Sequence, residues 1–393
     1  MSVTHEILNE LTAVSTFSTA AGAEEVFLKI DAGDQLTFAQ EIDSLLGQYQ
    51  HAAERLGLSG KTLVFSRLFL SDLANQKEPA LRSGLYASLR EGAVSLIEQR
   101  PVEHGALSLL AFHIRPSGKE LRKQVLAGAE EGTNGVLVGG DSYDMLWTAG
   151  VAGFGLPDPA CQTGEVFHAW SSILADHGMS LADHAVRTWV YVRDIDQNYA
   201  GMVQARRDYF EANGLTRLTR YLASTGIEGI SREAGSLVTL DALAMRPLAP
   251  DQIVRMEALD HMSPTIHYGV TFERGCRIRF GDRSHLHVSG TASIDKEGRT
   301  LYPGDPRRQA ERAIANIRAL LAPHGATLND MAYLAAYLRD PKDRDRVAAV
   351  LAAEIPPTVP LLFLESKVCR PNWLIELDGL AIIEDRTDYP AFC

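Results

Sequence analysis

"LAPHGATLNDMAYLAAYLRDPKD", residues 321–343, reads as the end of an amphipathic helix, a glycine (Gly325), a short polar link and a strand that runs out at Asp340. The same order occurs twice earlier. Residues 53–75 read "AERLGLSGKTLVFSRLFLSDLAN", and residues 174–197 read "LADHGMSLADHAVRTWVYVRDIDQ". The spacing from Gly57 to Asp72 is 15 residues, from Gly178 to Asp194 it is 16, and from Gly325 to Asp340 it is 15. Glycine past a helix end is the expected left-handed cap, and the strands between are rich in β-branched or aromatic residues. Three matched spacings with a repeated closing aspartate predict three copies of one structural unit.

The flanking segments extend the repeat. A second helical stretch follows each strand: "EPALRSGLYASLREGAV", "YAGMVQARRDYFEANG" and "DRDRVAAVLAAEI". A closing strand comes next: "GALSLLAFHIR", "AGSLVTLDALAM" and "NWLIELDGLAIIE". A glycine-bearing strand precedes the first helix of the later copies, "LWTAGVAG" and "LHVSGTAS"; the first copy offers "EEVFLKIDAG". The predicted order is β-β-α-β-α-β, an α+β unit with one sheet against two helices. The units divide the chain at residues 1–125, 126–250 and 251–393.

The whole chain narrows the function classes. Its 393 residues are 46% apolar, enough for large cores. With 38 basic and 50 acidic residues the net charge is -12, which argues against a nucleic-acid surface while leaving room for a local basic pocket. The first residues carry no basic-then-apolar leader, and no run of about 18 apolar residues suggests a membrane span, so a cytoplasmic protein is expected. Cys161, Cys276, Cys369 and Cys393 lie far apart with no CxxC pair, so neither a zinc site nor a disulfide framework is expected. His285 and His287, an i, i+2 pair, are a poor metal signal, and no metal or organic cofactor is implied.

The segment "KVCRPNWLIELDGLAI", residues 367–382, sets a carboxylate, Glu376, mid-strand among large apolar residues. Burial penalises the charged form and raises the pKa, which makes Glu376 a candidate general acid; the competing reading is a Glu paired with an Arg at a seam. Arg187 in "RTWVYV" and Arg274 in "TFERG" read as mid-strand cations able to grip a carboxylate, or as inter-domain ion pairs. Thr225 and Gly226 in "LASTGIEG" offer a hydroxyl and a backbone N–H, or merely a bulge. Tyr268 is a pocket phenol or a packed aromatic.

"HVSGTAS" and "WLIELDG" resemble the first glycine-bearing strand and the closing strand of the Rid (YjgF/UK114) family. Those proteins are usually homotrimers whose sheets form a central barrel, with active sites between subunits. Three fused Rid-like units imply an intrachain pseudo-trimer, with no further trimer needed: a monomer or dimer. Over residues ~135–385, "RTWVYVRDID", "ARRDYF", "ASTGIEG", "TFERG", "SGTAS" and "CRPNWLIELDG" resemble the chorismatases, which hydrolyse the enolpyruvyl ether of chorismate. That resemblance implies a small anionic substrate. It makes Glu376 the acid that protonates the enol-ether methylene. It also gives Cys369 and Gly290 the pairing of the 3-hydroxybenzoate-forming type; taken alone, Cys369 reads as a small buried hydrophobe. Two rivals stand beside it. One is a Rid-type imine or enamine hydrolase, disfavoured because "TVPLLFLES" lacks the arginine those enzymes carry. The other is a small-molecule-binding protein without chemistry.

Overall fold

The computed structural model describes residues 1–393 apart from 36, 119, 128–132, 154, 232, 234, 266–268 and 393. The first part of the chain contains β1 (Val3–Asn9), β2 (Thr12–Ser18), β3 (Glu24–Asp31), α1 (Phe38–Leu56), β4 (Leu63–Leu70), α2 (Leu73–Leu81), α3 (Gly84–Leu89), β5 (Ala93–Glu98), β6 (Arg100–Pro101) and β7 (Leu107–Arg115). The next contains β8 (Arg122–Ala127), β9 (Asn134–Gly139), β10 (Asp144–Ala152), α4 (Pro159–Asp176), α5 (Leu181–His184), β11 (Ala185–Val192), α6 (Ile195–Ala212), β12 (Ala223–Glu228), β13 (Ile230–Ser231) and β14 (Val238–Arg246). The last contains β15 (Ile253–Arg255), β16 (Gly275–Arg279), β17 (Arg283–Ala292), α7 (Pro306–Leu321), β18 (Met331–Leu338), α8 (Arg344–Glu354), β19 (Leu361–Glu365) and β20 (Ile375–Glu384).

These strands form three sheets of one topology, in a mixed α+β fold. The orders are β1-β2-β3-β7-β4-β5-β13, β12-β11-β14-β10-β9-β8 and β15-β16-β17-β20-β18-β19-β6. In each, a hairpin (β2–β3, β9–β10, β16–β17) pairs antiparallel with the closing strand (β7, β14, β20). The closing strand pairs antiparallel with β4, β11 or β18, which pairs parallel with β5, β12 or β19. The β-β-α-β-α-β order expected from sequence lacked this last parallel strand. "AVSLIE", "ASTGIE" and "LLFLE" are only five or six residues long. A short strand of a parallel pair gives little period-two alternation to read.

The repeated sequence signals have local causes. Gly57, Gly178 and Gly325 sit at φ 63°, 65° and 75°, the left-handed region that closes a helix end. The repeated aspartates begin the next helical segment rather than end a strand. The Asp72 side chain accepts from the Asn75 backbone N–H, and that of Asp340 from Lys342. Asp194 caps α6 by position only, at φ 48° and with no side-chain cap bond.

The sheets meet in one core. Phe27, Phe65 and Phe112 come from the first, Trp147 and Trp189 from the second, and Tyr333 and Leu380 from the third. Phe65 stacks on Trp147 with ring centroids 4.6 Å apart, and Phe27 on Phe112 at 4.4 Å. The centre is filled by side chains, leaving a cavity of about 20 Å³ beside Arg67 and His287, room for roughly one water. His285 is buried against Glu25, its Nε2 2.7 Å from the carboxylate. Helices α1–α3 cover one face of the first sheet, and α4 and α6 one face of the second.

The stubs that follow the parallel strands cross between sheets. β13 pairs with β5, and β6 pairs with β19. Val368, just after β19, makes an antiparallel bridge to Ile227 in β12. Second to first, first to third and third to second, the reaches form a closed cycle. Among the described residues no helix is long and apolar enough to cross a membrane.

Candidate functional site

The seam between β12 and the third sheet holds a cavity at the carboxyl group of Glu376. Its walls are Tyr199 and Arg206 from α6, Ser224 and Gly226 from β12, Phe272 and Arg274 ahead of β16, Gly290 and Ala292 from β17, Cys369, Arg370 and Trp373 from the loop before β20, and Glu376 itself. The cavity is narrow, about 20 Å³, and adjoins through Arg274 a wider cleft of about 220 Å³ lined by Arg217, Tyr221, Arg255 and Ser263.

Register explains the aim of Glu376. It pairs across β20 with Tyr337 on one side and Ala292 on the other. The β17–β20 ladder slips between Val288 and Thr291, and Gly290 sits in that bulge. A Cβ at Gly290 would lie 2.0 Å from Glu376 Oε1, so only glycine leaves the carboxyl its place. Glu376 is 3% exposed. Burial, then the charge of Asp378, push its pKa up to about 8 against the opposing pull of Arg274 and Arg187. The carboxyl is therefore protonated at neutral pH, with a cavity in front of it.

Behind the wall lies a second carboxylate, Asp378, whose hydrogen-bond partners are fixed. Its Oδ2 accepts from Arg187 Nη2 at 3.1 Å, Trp189 Nε1 at 3.0 Å and Thr225 Oγ1 at 2.7 Å. Thr225 Oγ1 also accepts from Arg187 Nη2 at 2.5 Å and from the Gly290 backbone N–H at 3.0 Å. This corrects two expectations. Arg187 and Thr225 are committed to Asp378 and are not among the residues that line the cavity. They fix β12 and the Gly290 bulge around Glu376 instead.

The other expected residues divide. Gly226, Arg274, Gly290, Cys369 and Glu376 share the cavity wall. Arg274 precedes β16 rather than lying mid-strand, and its Nη2 donates to the Ser263 carbonyl at 3.1 Å. Tyr268 lies outside the described residues. The Cys369 thiol and the Tyr199 hydroxyl lie in the same cavity wall, close enough for each to influence the other's proton affinity. Burial, then Glu376, push the thiol up to about 12, so it is a neutral SH at physiological pH.

Sequence reasoning passed over Arg206. It is 2% exposed, and burial lowers its pKa. Among the described residues its Nε finds no hydrogen-bond partner, and Nη1 reaches only Ser224 Oγ at 3.5 Å. A buried guanidinium with a spare donor beside a cavity is a ready receptor for an anion. The signal was present in the sequence. Ile195, Met202, Arg206 and Phe210 form the buried stripe of α6, and a cation on such a stripe needs a reason. Among the described residues no group of three or more His, Cys, Asp or Glu is placed to hold a metal.

Comparison with known proteins follows the same lines. Residues 279–383 match the Endoribonuclease L-PSP family model. A chorismatase of Streptomyces hygroscopicus is 28% identical over 214 residues, covering 49% of this chain and 60% of that protein, so this chain spans less than two thirds of its length. A crystal structure of a chorismatase superposes with a TM-score of 0.61 at 20% identity, covering 82% of this chain and 93% of that one, a likeness of fold. A RutC family protein of Pyrococcus abyssi is 31% identical over 100 residues, covering 25% of this chain and 79% of that protein. The chain belongs to the RutC family, in keeping with its Rid-like strands, and its matched L-PSP segment contains both Gly290 and Glu376.

Proposed function

We propose that the chain is a chorismatase-like hydrolase or lyase that cleaves an enol ether bearing carboxylates, chorismate or a close relative. The observation that carries this reading is Glu376: a buried carboxyl, protonated up to about pH 8, facing a cavity that also receives Arg206 and Arg274. Enol-ether cleavage needs a proton delivered to carbon, and a neutral carboxylic acid held in an apolar strand supplies it. Glu376 gives its proton to the terminal methylene, which leaves an oxocarbenium ion. Its carboxylate then stands beside that cation, and Arg206 and Arg274 neutralise the substrate carboxylates. The ring hydroxyl beside the ether carbon displaces the ether oxygen, whose bond electrons leave with pyruvate, and the hydroxyl proton returns to the Glu376 carboxylate; the arene oxide so formed opens to the phenol. The Gly290–Cys369 pairing supports a 3-hydroxybenzoate-type ring product, with the neutral thiol against the ring.

In the same reading the three sheets are three tandem units, residues 1–125, 126–250 and 251–393, closed as an intrachain pseudo-trimer around a central β-barrel. The cycle of stub pairings supports it. Assembly is then a monomer or dimer in which one chain supplies a complete site. The test is incubation of purified protein with chorismate, with pyruvate followed by a lactate dehydrogenase couple and the aromatic product by chromatography. Pyruvate with 3-hydroxybenzoate is expected; no pyruvate from chorismate, with release of ammonia from imine substrates, would overturn the reading.

A further inference from the structure

The loop that carries Cys369 is held by one side chain outside the cavity. Arg339, directly after β18, donates from Nε to the Trp373 carbonyl at 3.2 Å and from Nη2 to the Arg370 carbonyl at 3.2 Å and to the Val368 carbonyl. Its backbone N–H donates to the Leu374 carbonyl at 3.0 Å. One guanidinium thus binds carbonyls at positions 368, 370 and 373, on either side of Cys369. The same group forms a two-pronged pair with Asp196, Nη1 to Oδ2 at 3.0 Å and Nη2 to Oδ1 at 3.1 Å.

Asp196 is the second residue of α6, the helix that delivers Tyr199 and Arg206 to the opposite wall. The α6 N-terminus lacks a side-chain cap, and Asp194 before it is in the left-handed region at φ 48°. The Arg339–Asp196 pair therefore connects the start of α6 to the Cys369 loop, across the seam between the second and third sheets. Glu228 and Lys367 add a nearby tie, with Lys367 Nζ 3.2 Å from Glu228 Oε1.

We infer that Arg339 is a positioning residue, paired with Asp196, that sets the gap between the Cys369 loop and the Tyr199–Arg206 wall and thereby the fate of the intermediate. This deepens the proposed reaction and rests on that reading. Arg339 touches no reacting atom. It acts by holding the Cys369 loop in the cavity wall that Cys369 shares with Tyr199 and Glu376.

The test reads loop placement separately from turnover. Wild type, Arg339→Ala, Arg339→Lys and Asp196→Asn are treated with iodoacetamide, and labelling of each cysteine is timed by peptide mass spectrometry. Arg339→Ala is expected to speed labelling of Cys369 by about tenfold, as local opening of a short loop does, while buried Cys276 stays protected. Arg339→Lys keeps the charge toward Asp196 but loses the fork, and is expected to label like the alanine variant. Asp196→Asn should fall between them and wild type. With chorismate, kcat should fall by up to ~100-fold and the product ratio should change while KM moves little. Unchanged Cys369 labelling in Arg339→Ala overturns the inference, as does a parallel rise at Cys276, which marks general loosening. If wild type releases no pyruvate, the proposed reaction fails while the labelling still decides the role of Arg339.

Discussion

Gly290 and Glu376 occupy one another's space: a methyl group on Gly290 would sit 2.0 Å from Glu376 Oε1 and 3.3 Å from Thr225 Cγ2. Thr225 cannot yield, because its hydroxyl joins Asp378, Arg187 and the Gly290 N–H. The carboxyl must therefore rotate away from its place in the cavity. Gly290→Ala is expected to cost ~1–3 kcal/mol of stability, as overpacking does. Turnover should fall well beyond that of a distant glycine-to-alanine control such as Gly47→Ala, whose added Cβ would meet nothing within 4 Å. Equal turnover in the two variants would show that this contact does not set the acid.

Glu376→Gln keeps the shape and removes the proton source, so chorismate turnover should fall by ~100-fold or more. The pH dependence has a definite sign. In the folded chain the carboxyl keeps its proton up to about pH 8, whereas the unfolded chain loses it near the ordinary value of 4.5. The protonated fold is favoured fully below 4.5, and the contribution is lost as pH rises through about 8. Glutamine has no proton to lose. The melting temperature of Glu376→Gln relative to wild type should rise across that window and level off above it. Wild-type kcat/KM should fall with one proton above about pH 8.

Asp378 contributes charge to Glu376 from two residues along the same strand. Asp378→Asn removes an anion that favours the protonated acid, so the alkaline limb of the rate profile should move to lower pH. Arg187→Ala acts differently. It leaves Asp378, 1% exposed, without its only cation within ion-pair distance among the described residues, and should cost ~3–5 kcal/mol in urea unfolding. An alkaline limb that stays put in Asp378→Asn would remove Asp378 from the tuning of the acid.

Arg206 lines the cavity, and its buried Nε has no hydrogen-bond partner among the described residues. If it grips a substrate carboxylate, Arg206→Lys keeps the charge but loses the planar fork, and KM should rise more than kcat falls. Arg206→Met removes both and should weaken binding by roughly 2 kcal/mol or more, within the range for a lost charge-assisted bond. A melting temperature that rises in Arg206→Met with unchanged KM would assign the residue to packing alone.

The features legible in the sequence were those with local causes. Gly57, Gly178 and Gly325 announced helix ends because a left-handed residue is fixed by its own backbone. Glu376 stood out because a carboxylate on an apolar strand is a conflict visible without a partner. The parallel strands β5, β12 and β19 were missed, being short and without clear alternation. Arg187 was left between two readings, a grip on a ligand carboxylate and an ion pair, for a different reason. "RTWVYV" says that a cation is buried, and only the fold, bringing Asp378 from 191 positions away, says what neutralises it. Arg339 was invisible in the same sense, since its partners are backbone carbonyls that carry no sequence signature.

The cycle of stubs makes a prediction about assembly. β13 on β5, β6 on β19 and Val368 on Ile227 give three pairings between sheets within one chain. The edges those pairings use are no longer available to a second or third chain. Light scattering is expected to report one or two chains per particle across a wide concentration range. Replacing Ile230 by proline removes an N–H from the β13–β5 pairing and should lower the melting temperature without changing the mass. A stable particle of three chains that dissociates on dilution, with turnover lost alongside, would show instead that the site is completed between chains.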